Sequence, residues 1–174
     1  MDRLFFAVVP TAAARERIAA VVGQLRRVHG DGGWVAPDKW HVTLAYLGAW
    51  PQLPAGLAER AAQAAAAVLA PAPEVRLDQL GDFPGLRRPW YLGAEGSGGL
   101  WVLGHELRTC LGSAQVGFDT RPLVAHLTVR RARAPVPAAA IDPIAWTARE
   151  LLLLRSSAAA AASPVLARRA LPLA

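Results

Sequence analysis

Apolar and polar positions along the chain fall into short blocks separated by clusters of Gly, Pro and Asp, and the period within each block predicts its element. "RLFFAVV", Arg3 to Val9, is rich in Phe and Val and reads as a strand. Pro10-Thr11 then opens a helix, with Thr11 as N-cap, that runs to about His29 and stops at "HGDGG". "WVAPDKW" reads as extended with a turn at Pro37-Asp38, leading into a strand from His41 to Leu47. Leu57 to Leu69 is an alanine-rich helix bounded by Pro51, Pro54 and Pro71. Val75 to Leu80 alternates as a strand does, "GDFPGLRRP" is a loop, and Trp90 to Ala94 is a short strand. Leu100, Leu103, Leu107 and Leu111 have helical spacing, which predicts a helix from Gly98 to Leu111 that Gly112 stops. Strands follow at Leu123 to Val129, Glu150 to Leu154 and Val165 to Leu171, with a low-complexity alanine run at Ala158 to Ala162.

Strand, helix, strand occurs twice in this order, in units of matched length, and an internal duplication is the simplest account. With 174 residues and 53% hydrophobic content, the expectation is one domain over residues 1–174 built from two pseudo-symmetric lobes. "MDRLFFAVVP" lacks the basic n-region and small-residue cleavage site of a signal peptide, and no segment is long and apolar enough for a membrane helix. Cys110 is the only cysteine, so no intrachain disulfide or thiolate metal cluster is expected and a packed thiol is the simplest role. These features predict a cytosolic protein. The net charge of +6 invites a polyanionic partner, yet a single lysine among many arginines and alanines points as much to genome bias. Local clusters carry more weight, namely Arg87-Arg88 and Arg130-Arg131-Arg133.

Each repeat contains a His-x-Thr, in "KWHVTLAYLG" and in "AHLTVRRA". On a strand, His41, Thr43 and Ala45 share one face, and Val42, Leu44 and Tyr46 share the other. His126 and Thr128 stand in the same way against Leu127 and Val129. If the halves pack about an approximate two-fold axis, the two strands lie side by side and one groove holds two imidazoles and two hydroxyls. With an unperturbed pKa of about 6.5, one imidazole of a pair serves as base and the other as acid near neutral pH. Hydrolysis of a phosphodiester uses such a pair, since water must lose a proton as it attacks phosphorus and the departing alkoxide must gain one. The threonine hydroxyls and an arginine then suit the non-bridging phosphate oxygens.

Together, the paired "HVTL" and "HLTV", with "RLFFAVVP", "WVAPDKWHVTLAYLG", "GDFPGLRRPWYLG" and "RPLVAHLTVRRA" in order, resemble the two-histidine phosphoesterases, in the RNA 2′,3′-cyclic phosphodiesterase branch also called 2′-5′ RNA ligases. The resemblance runs to about Leu154. It implies an α+β, bilobal fold with antiparallel sheets around a central groove. The activity it implies is hydrolysis of a terminal 2′,3′-cyclic phosphate to a 2′-phosphate, without metal or other cofactor. By that resemblance His41 donates a proton to the leaving ribose O3′, His126 activates water, and Thr43, Thr128 and Arg131 hold phosphate oxygens. Strand parity instead puts Arg130 on the groove face, unless the strand bulges. Tyr46 stands where the family commonly has phenylalanine and is open to two roles, stacking on a base or packing against a helix.

Other features read as structural. His105 lacks the second histidine of a HExxH site, His29 suits a helix C-terminus, and Gly93 to Trp101 lacks the Lys-Ser/Thr of a phosphate loop. Trp34, Trp40, Trp90 and Trp101 are core positions, with Trp90 also placed to border the groove. The expected protein is a monomeric enzyme whose partner is RNA with a 2′,3′-cyclic phosphate end. The alternatives are a phosphodiesterase of small cyclic phosphates and a non-catalytic RNA-binding module, which binds in a salt-sensitive way without turnover. A metal-dependent hydrolase would require a carboxylate cluster that the sequence does not present.

Overall fold

A computed structural model describes residues 1–157 and 163–173. The alanine run at 158–162 lies outside the described residues. Eight strands alternate with three helices: β1 Asp2–Val8, α1 Ala12–His29, β2 Val42–Trp50, α2 Leu57–Ala66, β3 Glu74–Asp82, β4 Arg88–Gly93, α3 Gly98–Ser113, β5 His126–Ala132, β6 Ala139–Thr147, β7 Glu150–Ser157 and β8 Val165–Ala170. The strands form one antiparallel sheet in the order β6-β3-β4-β5-β2-β1-β7-β8. The two strands that bear His-x-Thr are neighbours at its centre. Only one residue pair, Val42 with Leu127, joins β2 to β5, whereas their outer partners are paired along most of their length. The sheet is thus two four-stranded halves hinged along a short central seam.

Helix α1 begins where Thr11 Oγ1 accepts from the Ala14 N–H at 3.3 Å, and buries Ala14, Ile18 and Val22 at a spacing of four. Gly30 ends it at a positive φ of 73°, its N–H on the Arg26 carbonyl. The main core brings Ile18 of α1 and Leu100, Leu103, Leu107 and Leu111 of α3 together with Leu4, Phe6, Val42, Leu44, Leu127 and Val129 from the central strands. A smaller cluster, Phe5, Ala7, Leu152 and Leu154, comes from the alternate residues of β1 and β7, with Tyr46 packed against it.

Several elements differ from the sequence pattern. β6 is absent from the expected elements because Asp142 and Pro143 interrupt it; it forms an edge strand, where proline is tolerated, and buries only Ile144 and Trp146. Helix α2 stops at Ala66 instead of Leu69, since the Glu106 carboxylate on α3 takes the N–H groups of Leu69 and Ala70 at 2.8 and 2.7 Å. Helix α3 passes Gly112 and turns at Gln115, φ 55°. Residues 123–125 precede β5 without strand pairing, and residues 37–39 form a single 3-10 turn. Trp90 is 1% exposed, in the core and not at the groove, while Trp101 lies off the α3 stripe at 42% exposure.

The segment after α1 is laid along β5: the Val35 N–H donates to the Val129 carbonyl at 2.9 Å and the Arg131 N–H to the Gly33 carbonyl at 2.7 Å. Gly33 has φ 74°, and a Cβ there would stand 2.3 Å from the Arg131 carbonyl oxygen, a backbone atom with no freedom to move aside. Gly33→Ala is therefore expected to cost at least about 1–3 kcal/mol from the backbone conformation alone, with the clash added. Urea denaturation reads this as a lower midpoint, and an unchanged midpoint would show that this segment does not hold against β5.

Candidate active site

The central register, carried one residue either way from the Val42–Leu127 pair, sets His41 opposite Thr128 and Thr43 opposite His126. The four side chains are the corners of a rectangle, with histidines on one diagonal and threonines on the other, and such a diagonal spans roughly 7–8 Å between backbones. Val42 and Leu127, between them, point into the core at 0% exposure. His41 lies one residue ahead of β2 and His126 is the first residue of β5, so both imidazoles stand at strand starts.

Both rings are tied in the same way. His41 Nδ1 is 2.7 Å from the Lys39 carbonyl oxygen and His126 Nδ1 is 2.6 Å from that of Val124. A carbonyl only accepts, so each Nδ1 carries the proton and each Nε2 is left as acceptor in the neutral ring and donor in the charged one. Phe5 stacks on His41 with 4.8 Å between centroids. Phe83 and Tyr91 meet His126 edge to face at 4.7 and 5.7 Å. Burial pushes the pKa of both imidazoles below 6.5; for His41 the nearby His126 and Arg131 push the same way, and the Lys39 carbonyl opposes.

Beyond the histidines, face parity breaks at matching places. Ala7 pairs with Thr43 but Phe6 with Ala45, so Leu44 is an extra residue in β2. Tyr91 pairs with Thr128 but Trp90 with Arg130, so Val129 is an extra residue in β5. Each bulge lies three residues after its histidine. The displaced carbonyls find other donors: Leu44 O accepts from Arg108 Nε at 3.1 Å, and Val129 O from Val35 N–H. Past the bulge the residue five after each histidine, Tyr46 or Arg131, turns into the groove. This corrects the strict alternation that placed Tyr46 with Val42 and Leu44 and put Arg130 on the groove face.

Arg130 points away from the groove. Its guanidinium is 4.6 Å from each of the Trp34 and Trp90 rings and donates to the carbonyls of Gly32 at 3.0 Å and His29 at 3.2 Å. It binds the end of α1 and the following segment to β5, a packing role the sequence did not signal because it needs two tryptophans distant in the chain.

The groove has a volume of about 680 Å³ and is lined by His41, Thr43 and Tyr46 from the β2 side, Thr128 and Arg131 from β5, and Phe5 from β1; His126, expected there, is not among its lining residues. Arg3, Lys39 and Arg87 add cationic side chains, and no carboxylate is among its lining residues. Among the described residues no three His, Cys, Asp or Glu side chains come together as metal ligands. No helix of the described residues is long and apolar enough to cross a membrane. Away from the groove, His105 is exposed on α3. Cys110 lines a second cavity between α2 and α3, where burial raises its thiol pKa.

The 2′-5′ RNA ligase superfamily matches residues 10–160. Among solved structures, LigT of E. coli in apo form is 28% identical with a TM-score of 0.77, covering 98% of both chains. The same protein complexed with 3′-AMP is 27% identical at the same score and coverage. TT0787 of Thermus thermophilus is 25% identical with a TM-score of 0.79, covering 98% of both chains. No curated protein matches the chain in sequence.

The depressed imidazole pKa values have a consequence for stability. Below pH 6.5 the unfolded chain takes up protons that the folded His41 and His126 resist, so the stability present above that pH falls as the pH drops through their folded values. Chemical denaturation from pH 7.5 down to 5 is expected to show this loss, and His41→Asn to show a smaller one. Equal losses in both proteins would mean that burial does not depress the His41 pKa.

Proposed function

The chain belongs to the 2′-5′ RNA ligase superfamily, phosphoesterases by their structural relatives, and on that premise we propose that it hydrolyses a terminal 2′,3′-cyclic phosphate to a 2′-phosphomonoester. The observation that carries the proposal is the rectangle of His41, Thr128, His126 and Thr43 across the central seam, with Arg131 turned in by its bulge.

The phosphorus sits between the two imidazoles. On the β5 side the neutral His126 accepts a proton from water at Nε2 as the water oxygen bonds to phosphorus. On the β2 side His41 gives the proton on its Nε2 to O3′ as the P–O3′ bond breaks. The product holds phosphate on O2′ and a free 3′ hydroxyl, and the two histidines have exchanged protonation states. A proton returned through solvent completes the cycle.

The family resemblance gives His41 the role of acid, and burial lowers the pKa of both imidazoles. In the free site its charge is opposed by burial first and then by His126 and Arg131. An anionic phosphate placed beside Arg131 offsets its charge, so substrate binding promotes protonation of His41. Burial lowers the His126 pKa, which favours the neutral ring that a base needs. Thr43 and Thr128 donate to the non-bridging oxygens from the other diagonal. Arg131 adds a charge-assisted hydrogen bond, in general about 1.5–3 kcal/mol. Tying each Nδ1 to a carbonyl leaves one functional nitrogen per ring and keeps the imidazoles from rotating as charge moves.

The test is turnover of a short RNA ending in a 2′,3′-cyclic phosphate, in excess EDTA, with the position of the product phosphate identified. A 2′-phosphate is expected, with kcat lowered about 10²-fold or more in each of His41→Ala and His126→Ala, and Arg131→Ala reduced about 10- to 100-fold in kcat/KM. Tight, salt-sensitive binding with the ring left intact, largely retained in His41→Ala, would replace the enzyme with an RNA-binding module.

A further inference from the structure

The groove extends past the histidine and threonine rectangle toward β7, and that end has its own chemistry. On β1 the side chains of Ala7, Phe5 and Arg3 share one face, and on β7 so do those of Leu152, Leu154 and Ser156, with Arg3 paired to Ser156. This face is apolar as far as Phe5 and Leu154 and then becomes polar. Arg3, Ser156 and Ser157 all line the groove there. Arg3 is exposed and has no ion pair or hydrogen bond from its guanidinium among the described residues. The neighbouring Asp2 carboxylate is held by Arg155 at 2.6 Å. What remains is one guanidinium with the Ser156 hydroxyl on its face and Ser157 next to it at the strand end, without a competing carboxylate, a donor set for an anion.

Its position relates it to the reaction. Phe5 stacks on His41, and Arg3 lies two residues further along β1, about 7 Å at 3.3–3.4 Å per residue. β7 is two strands from β2, about 10 Å at the usual strand spacing. These lengths match one nucleotide step from a phosphate between the histidines. The site also lies on the His41 side, where the leaving O3′ and its nucleoside are placed.

We propose that Arg3, Ser156 and Ser157 form a second anion subsite that holds the phosphate on the 5′ oxygen of the terminal nucleoside, so that the substrate class is an oligonucleotide and not a mononucleoside cyclic phosphate. The proposal rests on the function proposed above and adds substrate length to it. Each further contact to a phosphodiester also adds salt dependence to binding.

The experiment compares kcat/KM for a nucleoside 2′,3′-cyclic phosphate, the same compound with a 5′-phosphate, and a dinucleotide ending in the cyclic phosphate, in wild type, Arg3→Ala and Arg3→Lys. The measured quantity is the preference for dinucleotide over mononucleoside. It is taken within each preparation, so a partly unfolded variant does not distort it. Wild type is expected to prefer the dinucleotide by about 10-fold or more, Arg3→Ala to lose most of that preference, and Arg3→Lys to keep part of it. No preference in wild type, or a preference indifferent to Arg3→Ala, overturns the subsite while the hydrolase stands. An Arg3-dependent preference for the 5′-phosphorylated mononucleoside that the dinucleotide does not share overturns the oligonucleotide reading. Turnover of none of the three overturns the function and the subsite with it.

Discussion

The carbonyl oxygens of Leu44 and Val129 have to be satisfied outside the ladder, and the rest of the groove follows from how this is done. An extra residue in a strand reverses the facing of everything after it, at the cost of a backbone group without a cross-strand partner. In β2 that group takes the Arg108 guanidinium, in β5 the Val35 N–H. With the carbonyls held, Tyr46 and Arg131 face the groove and Ala45 and Arg130 do not. The same five-residue interval from each histidine produces both results, so the matching arrangement of the two strands extends from the imidazoles to the residues behind them.

The two halves then diverge in what they place there. One offers the Tyr46 phenol ring, packed against the Phe5 cluster, the other the Arg131 guanidinium. Divergence also reaches the ring contacts, since His41 lies flat against Phe5 while His126 meets the edges of Phe83 and Tyr91. The two imidazoles therefore stand in unequal surroundings. Burial lowers the pKa of both rings, and His126 and Arg131 add to that lowering at His41.

The thin seam between β2 and β5 has a second effect. A continuous eight-stranded sheet would carry its twist through the centre and bring the side chains of one face close together. One residue pair joins the halves, and the groove over it is lined by side chains from β1, β2, β5 and β7. The segment over residues 33–35, bonded to β5 by backbone hydrogen bonds and fixed by Arg130 between two tryptophans, forms one wall.

Among the described residues, local pattern was sufficient for seven of the eight strands and all three helices, because alternation, four-residue spacing and capping by Thr11 or Gly30 depend on near neighbours. The repeated His-x-Thr was legible for the same reason: residues two apart on a strand share a face whatever surrounds them. The tertiary structure decided what depends on distant partners. It ended α2 early through Glu106, allowed β6 to form around Pro143 at a sheet edge, and removed Arg130 from the groove into a stack of Trp34 and Trp90. It also brought in Arg131, since strand parity predicts the opposite residue and only a bulge, stabilised by donors from elsewhere in the chain, reverses it. Period-two alternation is a property of unbroken strands, and the break is written in the pairing of two strands, not in the sequence of one.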